Sequence, residues 1–128
     1  RTAALAGLRV RESRLIRIYD AAFLPEERAP GYVSTYGPGF RENGGQYTHA
    51  AVWLALALHR AGRREEAAAL AEDMARSLAV PEYGAEPFVL PADIAYAPGK
   101  EGRAGWSWYT GAAGWYLRLL RELYGAEP

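Results

Sequence analysis

The stretch "AAVWLALALHRAGRREEAAALAEDMARSL", residues 50–78, decides the fold class. Residues 50–58 are apolar without interruption, and Trp53 is their one large ring. A helix apolar on every side is buried on every side. The spacing predicts that helix over 46–60, with Gly62 as its stop, because glycine takes the left-handed conformation that closes a helix. A second helix is predicted over 63–78. Ala67, Leu70, Ala71, Met74, Ala75 and Leu78 form its inner stripe, and Arg63, Arg64, Glu65, Glu66, Glu72, Asp73 and Arg76 lie outside. The link "AGRRE", 61–65, is short, so the two helices are antiparallel neighbours. A helix buried all round needs more neighbours than a chain of 128 residues is expected to supply.

Towards the N-terminus, residues 24–45 carry Pro25, Pro30, Pro38 and glycines at 31, 37, 39, 44 and 45. That density of helix and strand breakers predicts a long loop. Tyr32, Tyr36 and Phe40 make it an ordered one, since disordered segments are poor in aromatics. Residues 2–11 read as the tail of a helix, with Ala4, Leu5 and Leu8 on one stripe, and "RLIRIYDAAF", 14–23, suits a turn of strand or of helix. Towards the C-terminus, 79–106 is irregular and rich in Pro and Gly. A last helix is predicted over 107–124, ended by Gly125, with Trp108, Ala112, Trp115, Tyr116, Leu119 and Leu123 as its core stripe. The expected architecture is all-α: one domain, 1–128, of antiparallel helices joined by long Gly/Pro-rich loops.

Composition narrows the function. Equal numbers of basic and acidic residues, 15 each, give no net charge, which argues against a nucleic-acid surface. The absence of cysteine excludes disulfides and thiolate metal sites. The longest apolar run is far too short to cross a bilayer, so no membrane partner is expected. Arg1, Arg9, Arg11 and Glu12 do not suit a signal peptide, and a cytoplasmic setting is expected. The aromatics are 4 Trp and 9 Tyr against 3 Phe, a bias towards rings with a hydrogen-bonding edge that suits sugars as well as cores and interfaces.

Three features can carry chemistry. In "GWSWYTGAAGW", 105–115, Thr110 and Gly111 fall in the first turn of the last helix, where backbone N–H groups and the helix dipole favour an anion. A Thr cap with a glycine at a helix contact would look the same. In "RENGGQYTH", 41–49, His49 opens the long apolar helix and can donate to a phosphate oxygen; a core histidine bonded to a carbonyl is the plainer reading. His59, ten residues on, reads as an exposed capping residue, too far along the helix to pair with His49 on a metal. Glu42, Glu86 and Asp93 are loop acids able to protonate a leaving oxygen or accept from hydroxyls, although solvated loop charges are commoner. Arg41 and Arg103 are candidate anion or sugar contacts.

Taken together, "PGYVSTYGPGFRENGGQYTHAAVW" (30–53), "EPFVLPADIAY" (86–96) and "GRAGWSWYTGAAGWYLRLL" (102–120) resemble the C-terminal part of glycoside hydrolase family 94. That family holds β-glucan phosphorylases and the phosphorylase-like domain of cyclic β-1,2-glucan synthases. The resemblance implies an (α/α)6 barrel of which this chain holds the last helices. It implies inverting cleavage or synthesis of β-glucosidic bonds, with inorganic phosphate as co-substrate and no metal or other cofactor. It places phosphate on His49, Thr110 and Gly111, and sugar contacts on Arg41 and Glu42, with Gln46, Tyr47 and Trp106 shaping the sugar floor. The implied partners are a β-glucan or oligoglucoside, phosphate, and the rest of the barrel upstream or a homodimer mate. The family's general acid, an Asp upstream, has no counterpart here. The segment "SLAVPEYGA", 77–85, is shorter than usual, and Ala104 stands where the pattern has glycine.

A second reading takes 53–78 as one tetratricopeptide-like helix pair in an interaction module without catalysis. Such repeats need about three copies to be stable. One pair is present, and its flanking loops are too long for a solenoid.

Overall fold

A computed structural model describes residues 3–27, 31–86, 89–108 and 111–125. The chain order is α1 (Ala3–Leu8), β1 (Arg9–Val10), β2 (Leu15–Ile16), a 3-10 turn (Val33–Thr35), β3 (Gln46–Tyr47), α2 (Thr48–Arg60), α3 (Arg64–Ser77), β4 (Asp93–Ile94) and α4 (Ala112–Tyr124). Strands β1 and β2 form one antiparallel pair, and β3 and β4 another. The core lies where α2, α3 and α4 meet: Val52, Ala55, Leu56, Ala67, Leu70, Met74, Leu119 and Leu123 are buried there, with Leu5 and Ile16 in the same cluster. Ala51, Ala55, Ala67 and Ala71 keep the α2–α3 crossing narrow, because small side chains let two helix backbones approach.

Three expectations need correction. First, α2 is not buried all round. Among the described residues α3 and α4 pack on two of its sides, and Trp53, 52% exposed, and Ala57 lie on the side left over. Second, the mostly helical fold also holds short two-residue strands. Gln46 and Tyr47 leave the predicted helix for strand β3, in register with Ile94 and Asp93. The buried Gln46 Oε1 accepts from the Ile16 backbone N–H at 3.0 Å, a tie that holds residue 46 outside the helix. Third, α4 starts at Ala112, not at 107, and Trp108 is 75% exposed instead of core. The backbone at 104–106 is spent on a ladder: Ala104 bridges Ile94, the Gly105 N–H donates to Asp93 O, and Trp106 O accepts from the Ala92 N–H. A segment bonded in that way cannot also start a helix. The predicted stop holds, since Gly125 closes α4 at φ 66.

Before β3, the described stretch 31–45 is pinned by buried Asn43. Its Oδ1 accepts from the Phe23 N–H at 2.8 Å, and its Nδ2 donates to Phe23 O at 3.0 Å and Tyr36 O at 2.8 Å. At Gly39, φ 86, a Cβ would come within 2.6 Å of the Tyr96 carbonyl oxygen, so the two loops touch backbone to backbone there. The Tyr96 N–H donates to Gly39 O at 2.7 Å.

Candidate functional site

The β3–β4 pair is the joint that assembles the site. It sets Tyr47 opposite Asp93, and one residue further the Thr48 N–H donates to Ala92 O at 2.9 Å. The segment leading into α2 therefore runs beside the segment that ladders with 104–106. Residues from 36–49, from 92–106 and Gly111 converge at one end of the helical core.

His49 stands in the first turn of α2. A Cβ at Gly111, the residue capping α4, would lie 3.6 Å from His49 Cε1 and 3.8 Å from Nδ1. The imidazole thus lies against the start of α4, as the motifs predict. Its other neighbours are Trp53, at 4.7 Å between ring centroids, and Trp115, at 5.9 Å. Aromatic walls leave few polar partners, and among the described residues the buried His49 Nε2 has no hydrogen-bond partner. Thr110, the other predicted phosphate ligand on this helix, lies outside the described residues.

Arg41, Glu42 and Asp93 form a second corner. Arg41 Nε lies 3.7 Å from Glu42 Oε2 and 3.9 Å from Asp93 Oδ1. These separations are ion pairs but too wide for hydrogen bonds. All three atoms are buried and, among the described residues, without a hydrogen-bond partner. Arg41 Cζ lies 5.0 Å from the Tyr36 ring centroid and 4.9 Å from that of Trp106, so two aromatic faces hold the cation. Burial pushes the Asp93 carboxyl above its ordinary value; a backbone hydrogen bond from Trp106 and the Arg41 charge oppose this, and the Glu42 charge adds to it. Gly105 is required beside it, because a Cβ there would lie 2.6 Å from Asp93 Cγ. Tyr32 O–H donates to Glu42 Oε1 at 3.4 Å, and the charge of Glu42 pushes that phenol upward.

The remaining sequence candidates divide. Trp106, 54% exposed, stands at the Arg41 corner. Tyr47 is half-buried beside Asp93 in the ladder. Gln46 is fully buried, with its amide turned to Ile16 and, at 3.5 Å, towards Thr48 Oγ1. Glu86 and Arg103 are exposed. His59 is half-buried and not an exposed cap, and its Nδ1 is buried without a partner. Sequence reasoning weighed Asp93 only as one loop acid among three and passed over Tyr36. A signal for Asp93 was available: it is the single charge within "FVLPADIA", 88–95, and a charge inside an apolar run is either a solvated kink or a buried functional group. For Tyr36 nothing in the pattern marks a contact with Arg41, since that contact is made by tertiary folding of the loop.

Chemically, the first corner offers an imidazole at a helix start, suited to an oxyanion. The second offers a cation and two carboxylates with unspent hydrogen-bonding atoms, suited to neutral polyols. Among the described residues no group of three or more His, Cys, Asp or Glu side chains is placed to hold a metal ion, and no helix is long and apolar enough to cross a membrane.

Comparison with known proteins gives the family. The family described as "Glycosyl hydrolase 94 superfamily, catalytic domain" matches residues 10–124. Cyclic beta-(1,2)-glucan synthase NdvB of Rhizobium meliloti (strain 1021) is 41% identical over 122 residues. That alignment takes in 91% of this chain and 4% of NdvB, so the chain spans a small part of that relative's length.

Proposed function

The chain belongs to the glycosyl hydrolase 94 superfamily, as part of its catalytic domain, and from that premise we propose that it forms the phosphate-side wall of an (α/α)6 barrel that phosphorolyses or synthesises β-glucosidic bonds. In this reading a β-glucan or oligoglucoside is the substrate and inorganic phosphate the co-substrate, with no other cofactor. His49 and the start of α4, Thr110 and Gly111, hold phosphate for in-line attack on the anomeric carbon, with inversion. Positioning of this kind lowers the barrier by fixing the two reactants in an attack geometry. Arg41, Glu42 and Asp93 take the hydroxyls of the glucosyl unit, Trp106 and Tyr47 form the floor beneath it, and Gln46 keeps β3 in place under His49.

The general acid that protonates the leaving oxygen comes from the rest of the barrel, so the residues of this chain bind and orient. The observation that carries the reading is the packing of the His49 ring against Gly111. An unpartnered His49 Nε2 beside a helix start is what an anion site needs.

The test uses the full-length protein. With His49→Ala, KM for phosphate is expected to rise at least about tenfold, the loss of one charge-assisted hydrogen bond. KM for the glucoside should stay within about twofold, because a phosphate contact contributes nothing to sugar affinity. Unchanged phosphate dependence removes His49 from the site.

A further inference from the structure

We propose that Tyr36 is a positioning residue: together with Trp106 it clamps the Arg41 guanidinium and holds it off the Glu42 and Asp93 carboxylates, keeping all three groups open for substrate hydroxyls. The proposal deepens the function above and rests on it.

An arginine this close to two acids normally closes onto them in hydrogen-bonded, often bidentate, ion pairs near 2.8 Å. Elsewhere in this chain that happens: Arg9 meets Asp73 at 2.6 Å and Arg60 meets Glu122 at 2.7 Å. Arg41 stops at 3.7 and 3.9 Å instead, leaving buried Arg41 Nε, Glu42 Oε2 and Asp93 Oδ1 each without a hydrogen-bond partner. Buried polar atoms left unpaired are costly, so something must hold the cation away.

The restraint is aromatic. Tyr36 and Trp106 each attract the guanidinium at about 5 Å, within cation–π range. Tyr36 is itself braced edge-on by Tyr32, 6.1 Å between centroids, whose hydroxyl is bonded to Glu42. The backbone adds to the restraint. Arg41 sits at φ 46, a left-handed conformation that an L side chain rarely adopts and that persists only where the surrounding structure holds it. The Gly45 N–H pins that turn by donating to Arg41 O at 3.1 Å. Strain and aromatic bracing at Arg41, with an unspent polar atom on each of Arg41, Glu42 and Asp93, point to preorganisation rather than to stability.

The experiment measures kcat/KM for the glucoside in the full-length protein, with crystal structures of the same variants. Tyr36→Leu keeps bulk and removes the ring face, and should lose about tenfold in kcat/KM, the size of one partly desolvated cation–π contact. In its structure Arg41 should reach hydrogen-bond distance of Glu42 or Asp93. Tyr36→Phe keeps the ring and should stay within about twofold. Arg41→Ala should lose more, and Tyr36→Leu added to it should cost nothing further, because a residue acting only through Arg41 has no effect once Arg41 is gone. An additive double variant, a Phe variant as poor as Leu, or Arg41 unmoved in the Leu structure overturns the proposal. If the wild-type protein turns over no glucoside, the proposed function fails, while the position of Arg41 in the two structures still decides the clamp.

Discussion

Asp93 sets burial against charge at a single residue. Its side chain is nearly inaccessible, so the folded state favours the neutral carboxyl and raises its pKa. A raised carboxylate contributes stability that is fully present below the ordinary value and is lost as pH rises through the folded value. Above that folded value the charge on buried Asp93 therefore weighs against folding. Asp93→Asn is expected to raise the urea midpoint at pH 7 and to flatten the stability change across the acid range, read by urea denaturation at a series of pH values. The same variant should lower glucoside turnover, as residues kept for function often cost stability. A wild-type and variant pair with parallel pH profiles would show that burial does not control this group. At this scale the positions of His49 and Gly111 near two helix starts were legible, though not what they bind. The left-handed backbone of Arg41 was not, because a positive φ at a non-glycine is imposed by its neighbours and leaves no mark in the pattern.

At the scale of elements, the α2–α3 pair was legible because apolar period and a short link specify it locally. The ends of α2 and α4 were misread by two and five residues, where the β3–β4 ladder outbids helix for the same backbone groups. The loop before β3 depends on Asn43, which satisfies two carbonyls and one N–H at once. Asn43→Ala leaves these three part-buried groups without that partner and is expected to cost about 2–4 kcal/mol, less than the roughly 1–3 per group that full burial would give, because water reaches them. Faster amide exchange over 31–45 would check it, and unchanged protection there would mean other contacts hold the loop. Across α2 and α4, two variants should separate packing from charge. Leu119→Ala, fully buried, should cost about 2–5 kcal/mol in chemical denaturation. Glu122 is held down to about 2 by hydrogen bonds from Arg60 and Arg118. Its stabilisation is thus present above the ordinary carboxylate value and fades as pH falls towards 2. It is nonetheless near the surface, so Glu122→Gln should cost less than about 1 kcal/mol.

For the whole molecule, the informative feature is the uncovered side of α2. Trp53, Leu56, Ala57, Arg60 and Trp115 line a groove there of about 330 Å3, and Trp53 stacks edge-on to Trp115 at 5.5 Å. An apolar face of this kind favours association. The 128-residue chain alone is expected to self-associate in sedimentation velocity runs, and Trp53→Ser to shift it towards monomer. A wild-type chain that stays monomeric at all concentrations would show that the groove is satisfied as it stands. Periodicity and punctuation in the sequence by themselves determined the helices, their antiparallel pairing, the ordered loops and, through three motifs in order, the family. These are properties of short segments, set by side-chain spacing and backbone preference. Only the tertiary structure decided that Asp93 faces Arg41, that two tyrosines and a tryptophan surround that corner, and which side of α2 stays bare. Such contacts join residues tens of positions apart, and their energies depend on burial and approach distance, which no local pattern encodes.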